Sequence, residues 1–328
     1  MRQEGRKERG KKNHRKYKIG ILCVGVTAGL LLAMTGFLGK EKQEEDNYRI
    51  AAILPVEETN PFWNTVWEGV RDCAEKENVC LSEYQYDSYS DDSVEDLLEI
   101  AILSKTEGII LRASDYTTQR MENLLEKAKE EGIRMVFADS DGEVNQRDVF
   151  VGADNEEAGK KAAEILTEQY QPEKIWEIRN DGNPTSVTMR ESAFYDYLEE
   201  QEKMPEISTV VLTGAEEVRY QTAQEVMLQV EQGDAVICLG ANTTLIAAKT
   251  VERLNLQEQI FLIGFGESEE ALDYTESGEI DFLFAQENYE IGYQAMDAAV
   301  EILRENSLED YKDRYVKIEV YSSKIPSQ

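Results

Sequence analysis

A chain of 328 residues, 41% of them hydrophobic, is long enough for one large domain or two ordinary ones with proper cores. Its net charge of -31 is unevenly spread: residues 1–18 carry nine Lys or Arg and two Glu, which leaves 26 basic and 64 acidic side chains for residues 19–328. So acidic a body repels phosphate backbones and excludes nucleic acid as a partner. The single histidine, His14, leaves that body no Ser-His-Asp triad, Cys-His pair or His-ligated zinc.

From Ile19 to Gly39 the chain reads IGILCVGVTAGLLLAMTGFLG, 21 residues without a charge. At about 1.5 Å per residue this spans a hydrocarbon core of about 30 Å. The nine preceding cations put residues 1–18 in the cytoplasm and the remainder outside. A cleaved signal peptide is the competing reading. The run is long for one, and its best small-x-small site, Ala33-Met34-Thr35, is poor, so an uncleaved single-pass membrane anchor is expected over 19–39. Cys23, preceded by Leu22, makes a weak lipidation site. Residues 40–47, KEKQEEDN, read as a charged linker.

Beyond Tyr48, short β-branched runs alternate with longer amphipathic stretches. The predicted strands are YRIAAILPV (48–56), VCLSEYQYD (79–87), GIILRAS (108–114), IRMVFADS (133–140), DVFVGAD (148–154), KIWEIRND (174–181), ISTVVLTG (207–214), AVICLGA (235–241), IFLIGFG (260–266), IDFLFAQ (280–286) and VKIEVYS (316–322). Helices are predicted after Pro61 and over 94–105, 117–132, 156–170, 191–203, 220–233, 243–255 and 288–306. Such alternation means parallel sheets with helices on both faces. The strand number suits two Rossmann-like α/β lobes better than one sheet.

Ligands of such sheets bind at the carboxyl ends of the strands. The loops there, VEETNPFW, RASDYT, FADSDG, RNDGNPTS, LGANTT, FGESEE and AQENYE, are rich in Asp, Asn, Ser and Thr. Any one could simply cap a helix; seven around one crevice suggest a polar small-molecule site. In ETNPFWNTVWEGV, Asn60 can cap a helix that Pro61 opens. Phe62 and Trp63 then lie on its first turn beside the crevice, where a flat ring suits the C–H face of a sugar. Phe62 also shares helical spacing with Val66 and Val70, which fits a core residue. Cys73 and Cys80 could pair in an oxidising compartment or stay free; Cys238 suits the core.

NPFW (60–63), VGADNEEAGKKAAEIL (151–166), LIGFG (262–266) and AQENYEIGYQAMDAAVEIL (285–303) resemble the ribose/galactose-type periplasmic sugar-binding proteins, whose fold LacI-type repressors share. The resemblance covers nearly all of 48–328; a membrane segment stands where a repressor carries its helix-turn-helix. It implies two lobes joined by a three-stranded hinge, 47–150 with 287–315 and 151–286 with 316–328. A sugar would close them, for an ABC permease or for a membrane sensor kinase. It implies ligand contacts from Asn60, Phe62, Trp63, Asp139, Arg190 and Gln286 and points away from catalysis; no cofactor is expected, and no metal, since DSDG and YSDDS lack a convincing ligand set. From the residues alone, Arg190 could equally form a surface salt bridge, and paired carboxylates in a cleft could suit a glycosidase. The chain departs from the family pattern at Ser140, where an Arg is usual, and at Gly240 and Gly266, where Asn and Asp are common. Asp115, Ser140, Asn242 and Glu267 are further candidates.

Overall fold

The computed structural model describes residues 47–56, 62–87, 94–113, 118–141, 147–201, 204–305 and 311–323. The apolar segment 19–39, Asn60 and Asp115 lie outside them. Among the described residues no helix is long and apolar enough to cross a membrane. In chain order the elements are β1 (Arg49–Val56), α1 (Phe62–Lys76), β2 (Cys80–Asp87), α2 (Val94–Leu103), β3 (Gly108–Leu111), α3 (Gln119–Glu130), β4 (Arg134–Ala138), β5 (Val149–Ala153), α4 (Asn155–Gln169), β6 (Lys174–Asn180) and α5 (Thr185–Glu200). There follow β7 (Glu206–Leu212), α6 (Glu216–Met227), β8 (Ala235–Ile237), α7 (Ala241–Leu254), β9 (Phe261–Phe265), α8 (Glu269–Ser277), β10 (Phe282–Gln286), α9 (Asn288–Arg304), β11 (Arg314–Val316) and β12 (Ile318–Ser322).

The strands form two six-stranded sheets, ordered β11-β5-β4-β3-β1-β2 and β12-β10-β9-β8-β6-β7. Every pairing is parallel except that of β10 with β12. Strands with helices on both faces must be apolar throughout, and β3, β5, β8 and β9 are buried along their whole length. The outer strands β2 and β7 alternate instead, as half-covered strands do.

The chain passes between the sheets three times: from β5 to α4, from β10 to α9, and from β11 to β12. The first crossing follows Ala153, three residues beyond the expected boundary at 150, because all of β5 pairs in the first sheet. The run VKIEVYS, read as one strand, is two. Val316 ends β11 in the first sheet, Ile318 begins β12 in the second, and the carbonyl of Lys317 between them accepts from the Glu287 amide at 3.2 Å. Helix α8 was not anticipated, although Ser268 caps it, accepting from the Ala271 amide at 3.1 Å, and Gly278 ends it at φ +94. Helix α5 begins at Thr185, six residues before the expected start, because its first turns, TSVTMR, are polar.

Two contacts fix the helices that carry the site. The indole of Trp67 donates to the carbonyl of Pro55 at 2.9 Å and ties α1 to β1. Helices α1 and α9 touch backbone to backbone: a Cβ on Gly69 would lie 2.1 Å from the Tyr289 carbonyl oxygen, and one on Gly292 1.8 Å from that of Val66. Cys73, buried, and Cys80, exposed, are both free, and Cys238 is buried.

Candidate functional site

A cavity of about 320 Å³ lies where the carboxyl ends of strands from both sheets converge. The first turn of α1 brings Phe62 and Trp63 to one wall, and the ends of β3 and β4 bring Arg112 and Asp139. The second sheet contributes Asn180 at the end of β6 and Asn183 after it, Arg190 from α5, Asn242 from α7, Phe265 and Phe284 from β9 and β10, and Gln286.

Phe62 and Trp63 meet edge to face, with ring centroids 4.9 Å apart and planes at 87°. Both are buried, so a place in the core and a face on the cavity coincide. The Arg112 guanidinium lies 5.8 Å from the Trp63 ring, and its Nε is 4.0 Å from Oδ2 of Asp139. Asp139 adopts a left-handed backbone, φ 65, uncommon away from glycine and typical of built sites. Its amide bonds to the Val151 carbonyl at 2.9 Å. Burial pushes its carboxyl above the ordinary range; Arg112, Arg190 and the side chains of Ser140 and Gln286 oppose that shift.

Across the cavity, Arg190 donates from Nε to the Ser186 carbonyl at 3.1 Å and from Nη1 to the Leu239 carbonyl at 2.9 Å. Its guanidinium sits 4.9 Å from the Phe265 ring, which stacks on Phe284 at 4.7 Å. Burial lowers this guanidinium to about 10, against the pull of Asp139 and Glu191. The lobes touch here: Ser140 Oγ lies 3.1 Å from Oδ2 of Asp139 and 3.3 Å from the Ser186 hydroxyl. Glu191 supports the 180–184 loop, accepting from Asn183 at 2.5 Å and pairing with Arg179 at 3.2 Å. Burial, reinforced by Glu177, raises its carboxyl to about 7. Oδ1 of Asn180 and of Asn242 is buried with no hydrogen-bond partner.

Of the expected residues, Phe62, Trp63, Asp139, Arg190, Gln286 and Asn242 line this cavity. Arg190 is buried, at 6% exposure, which rules out the surface salt bridge. Ser140 is buried behind Asp139. Glu267 does not line the cavity; its carboxylate accepts from the Asn288 amide at 3.3 Å at the second crossing. Gly266 lines it, but a Cβ there would lie 2.4 Å from Cβ of Ala241, at φ +108. Arg112, Asn180 and Asn183 went unnamed, although the loops that hold them were read as site loops. A charged residue directly after the buried run GIIL is the signal that points to Arg112. Phe265 opens the site loop FGESEE but was not named, and Phe284 lies inside the predicted strand IDFLFAQ, where spacing gives no other hint.

The same fold recurs in solved structures. GanP, a glucose-galactose binding protein from Geobacillus stearothermophilus, superposes with a TM-score of 0.71 at 22% identity, covering 85% of this chain and 98% of its own. A solute-binding protein of an ABC transporter from Burkholderia graminis, solved with D-arabinose, scores 0.72 at 18% identity over 85% and 96%. A XylFII–LytSN complex scores 0.73 at 20% identity over 84% and 98%. No curated protein matches the sequence. Residues 50–307 match the periplasmic binding protein domain, and the chain therefore belongs to that family of solute-binding proteins, which are not enzymes.

Proposed function

We propose that this is an extracellular solute-binding protein, held to the membrane by residues 19–39, that captures a small sugar or sugar-like ligand between two closing lobes for an ABC-type importer. The observation that carries the reading is the cavity: aromatic rings from both lobes, with a carboxylate, guanidinium groups and amides between them. Trp63 and Phe62 stack on the ligand ring, Asp139 accepts from its hydroxyls, and Arg190, Gln286 and Asn242 complete the contacts, with Asn60 and Asp115 joining from their loops. A ligand that touches both lobes at once favours the closed arrangement by its differential contacts. Support also comes from neighbours solved as a glucose-galactose binding protein and with D-arabinose.

Thermal unfolding of the purified protein tests this against pentoses, hexoses, polyols, sugar acids, nucleosides and amino acids. A ligand at about 100 times its Kd raises stability by about 2.7 kcal/mol. Trp63→Ala and Asp139→Ala should abolish the shift. If only nucleosides or amino acids act, or nothing does, the reading fails. A second reading, a sensing module that presents its closed form to a membrane histidine kinase, gains from the XylFII–LytSN complex, in which a protein of this fold pairs with a second protein. A permease and ATPase encoded beside the gene favour transport; a kinase and response regulator favour sensing.

A further inference from the structure

Among the described residues, one buried charge of the cavity, that of Arg190, has no contact counter-ion. Of the described charged residues that line it, Asp139 and Arg190 are buried, Arg112 and Arg219 are half-buried and Asp181 is exposed. Asp139 lies beside Arg112. Arg190 hydrogen-bonds only to backbone carbonyls, through Nε and Nη1, and its neighbour Glu191 is engaged with Asn183 and Arg179. Burial lowers its guanidinium by more than the charges of Asp139 and Glu191 raise it. Oδ1 of Asn180 and of Asn242, unpartnered on residues that line the same cavity, are acceptors for hydroxyls.

We infer that the ligand is a sugar acid: a polyhydroxylated molecule of monosaccharide size with one carboxylate, which pairs with Arg190 while its hydroxyls meet Asp139, Asn180 and Asn242. This rests on the sugar-binding reading above. A guanidinium offers a planar donor fork that matches a carboxylate. A single negative charge matches the one guanidinium of Arg190, whereas a sugar phosphate, with nearly two, would leave a buried charge uncompensated.

Calorimetric titration of the purified full-length protein at low salt tests this with matched pairs: D-galacturonate and D-galactose, D-glucuronate and D-glucose, D-arabinonate and D-arabinose, together with the corresponding sugar phosphates. In at least one pair the acid should bind about 10-fold more tightly than its neutral parent, the range of one charge-assisted hydrogen bond. That advantage should shrink as salt rises, and Arg190→Met should weaken the acid more than the parent. The salt series on the unaltered protein gives the same discrimination if that variant does not fold. If the neutral sugar equals or exceeds its acid in every pair that binds, or if only a phosphate binds, the inference is overturned and the sugar-binding reading stands. Binding of no member of the panel overturns both.

Discussion

Gly240 and Gly266 stand at the mouths of neighbouring strands, and the space around them differs. A Cβ on Gly240 meets nothing closer than 3.6 Å at an ordinary φ of -132, whereas one on Gly266 collides with Ala241 at φ +108. Gly266→Ala should therefore cost about 1–3 kcal/mol in chemical denaturation, and Gly240→Ala should stay within about 0.5 kcal/mol. Glu191 sets a pH dependence. Its carboxyl, raised from the usual 4.5 to about 7, binds more protons in the folded than in the unfolded chain between those values. Stability must then fall as pH rises through that window and level off above it. Asp139, raised by burial, acts in the same direction. The unfolding midpoint should be higher at pH 5 than at pH 7.5, and Glu191→Gln should narrow the gap; an unchanged gap would show that Glu191 ionises normally in the fold. At this scale the sequence was legible where a motif marked it: Trp63, Asp139 and Arg190 sit in recognisable runs. Arg112 carried only its position after an apolar run, and whether Glu267 reaches the cavity depends on a hydrogen bond no spacing reveals.

Elements were legible wherever burial imposed a simple pattern. The apolar runs of β3, β5 and β9 follow from cover on both faces, and the 3.6-residue period of α1 and α9 follows from cover on one. Where the pattern fails, a short or polar element goes unseen. Helix α8 has nine residues and is announced only by its caps, and α5 hides its first two turns in hydroxyl-bearing residues. The break at Lys317 is invisible because both flanking segments are extended; only the sheet each one joins separates them. The α1–α9 contact carries the sharpest prediction here. Gly292→Ala would place a methyl group 1.8 Å from the Val66 carbonyl oxygen, so the helices must part. A loss of about 2 kcal/mol or more should accompany a changed tryptophan emission, since α1 holds Trp63 and Trp67. A variant of unaltered stability and emission would show that the helices tolerate separation.

For the whole molecule, net charge is the dominant long-range term. A surplus of 31 negative charges repels itself in the compact state, and salt screens that repulsion, with a Debye length of about 10 Å at 0.1 M. The unfolding midpoint without ligand should therefore rise as sodium chloride is increased from low ionic strength; a midpoint that falls would mean ion pairs such as Arg71–Glu83 and Arg314–Asp297 outweigh the repulsion. Lobe architecture was legible at this scale because strand–helix alternation admits few topologies. The closeness of the lobes across Ser140 and Ser186 was not, since it depends on how the three crossings set one sheet against the other.

Three crossings between the sheets also impose an order on synthesis. The first sheet lacks its outermost strand until residues 314–316 exist, and Ile291, Met296, Val300 and Ile302 of α9 belong to the core that covers it. A nascent chain that has already made β1 to β5 still exposes that apolar face while the intervening residues 154–287 are added. The amino-terminal half therefore cannot complete its core as it emerges from the ribosome. It must stay open until the chain is nearly finished, the state a polypeptide needs if it is to be threaded across a membrane before it folds.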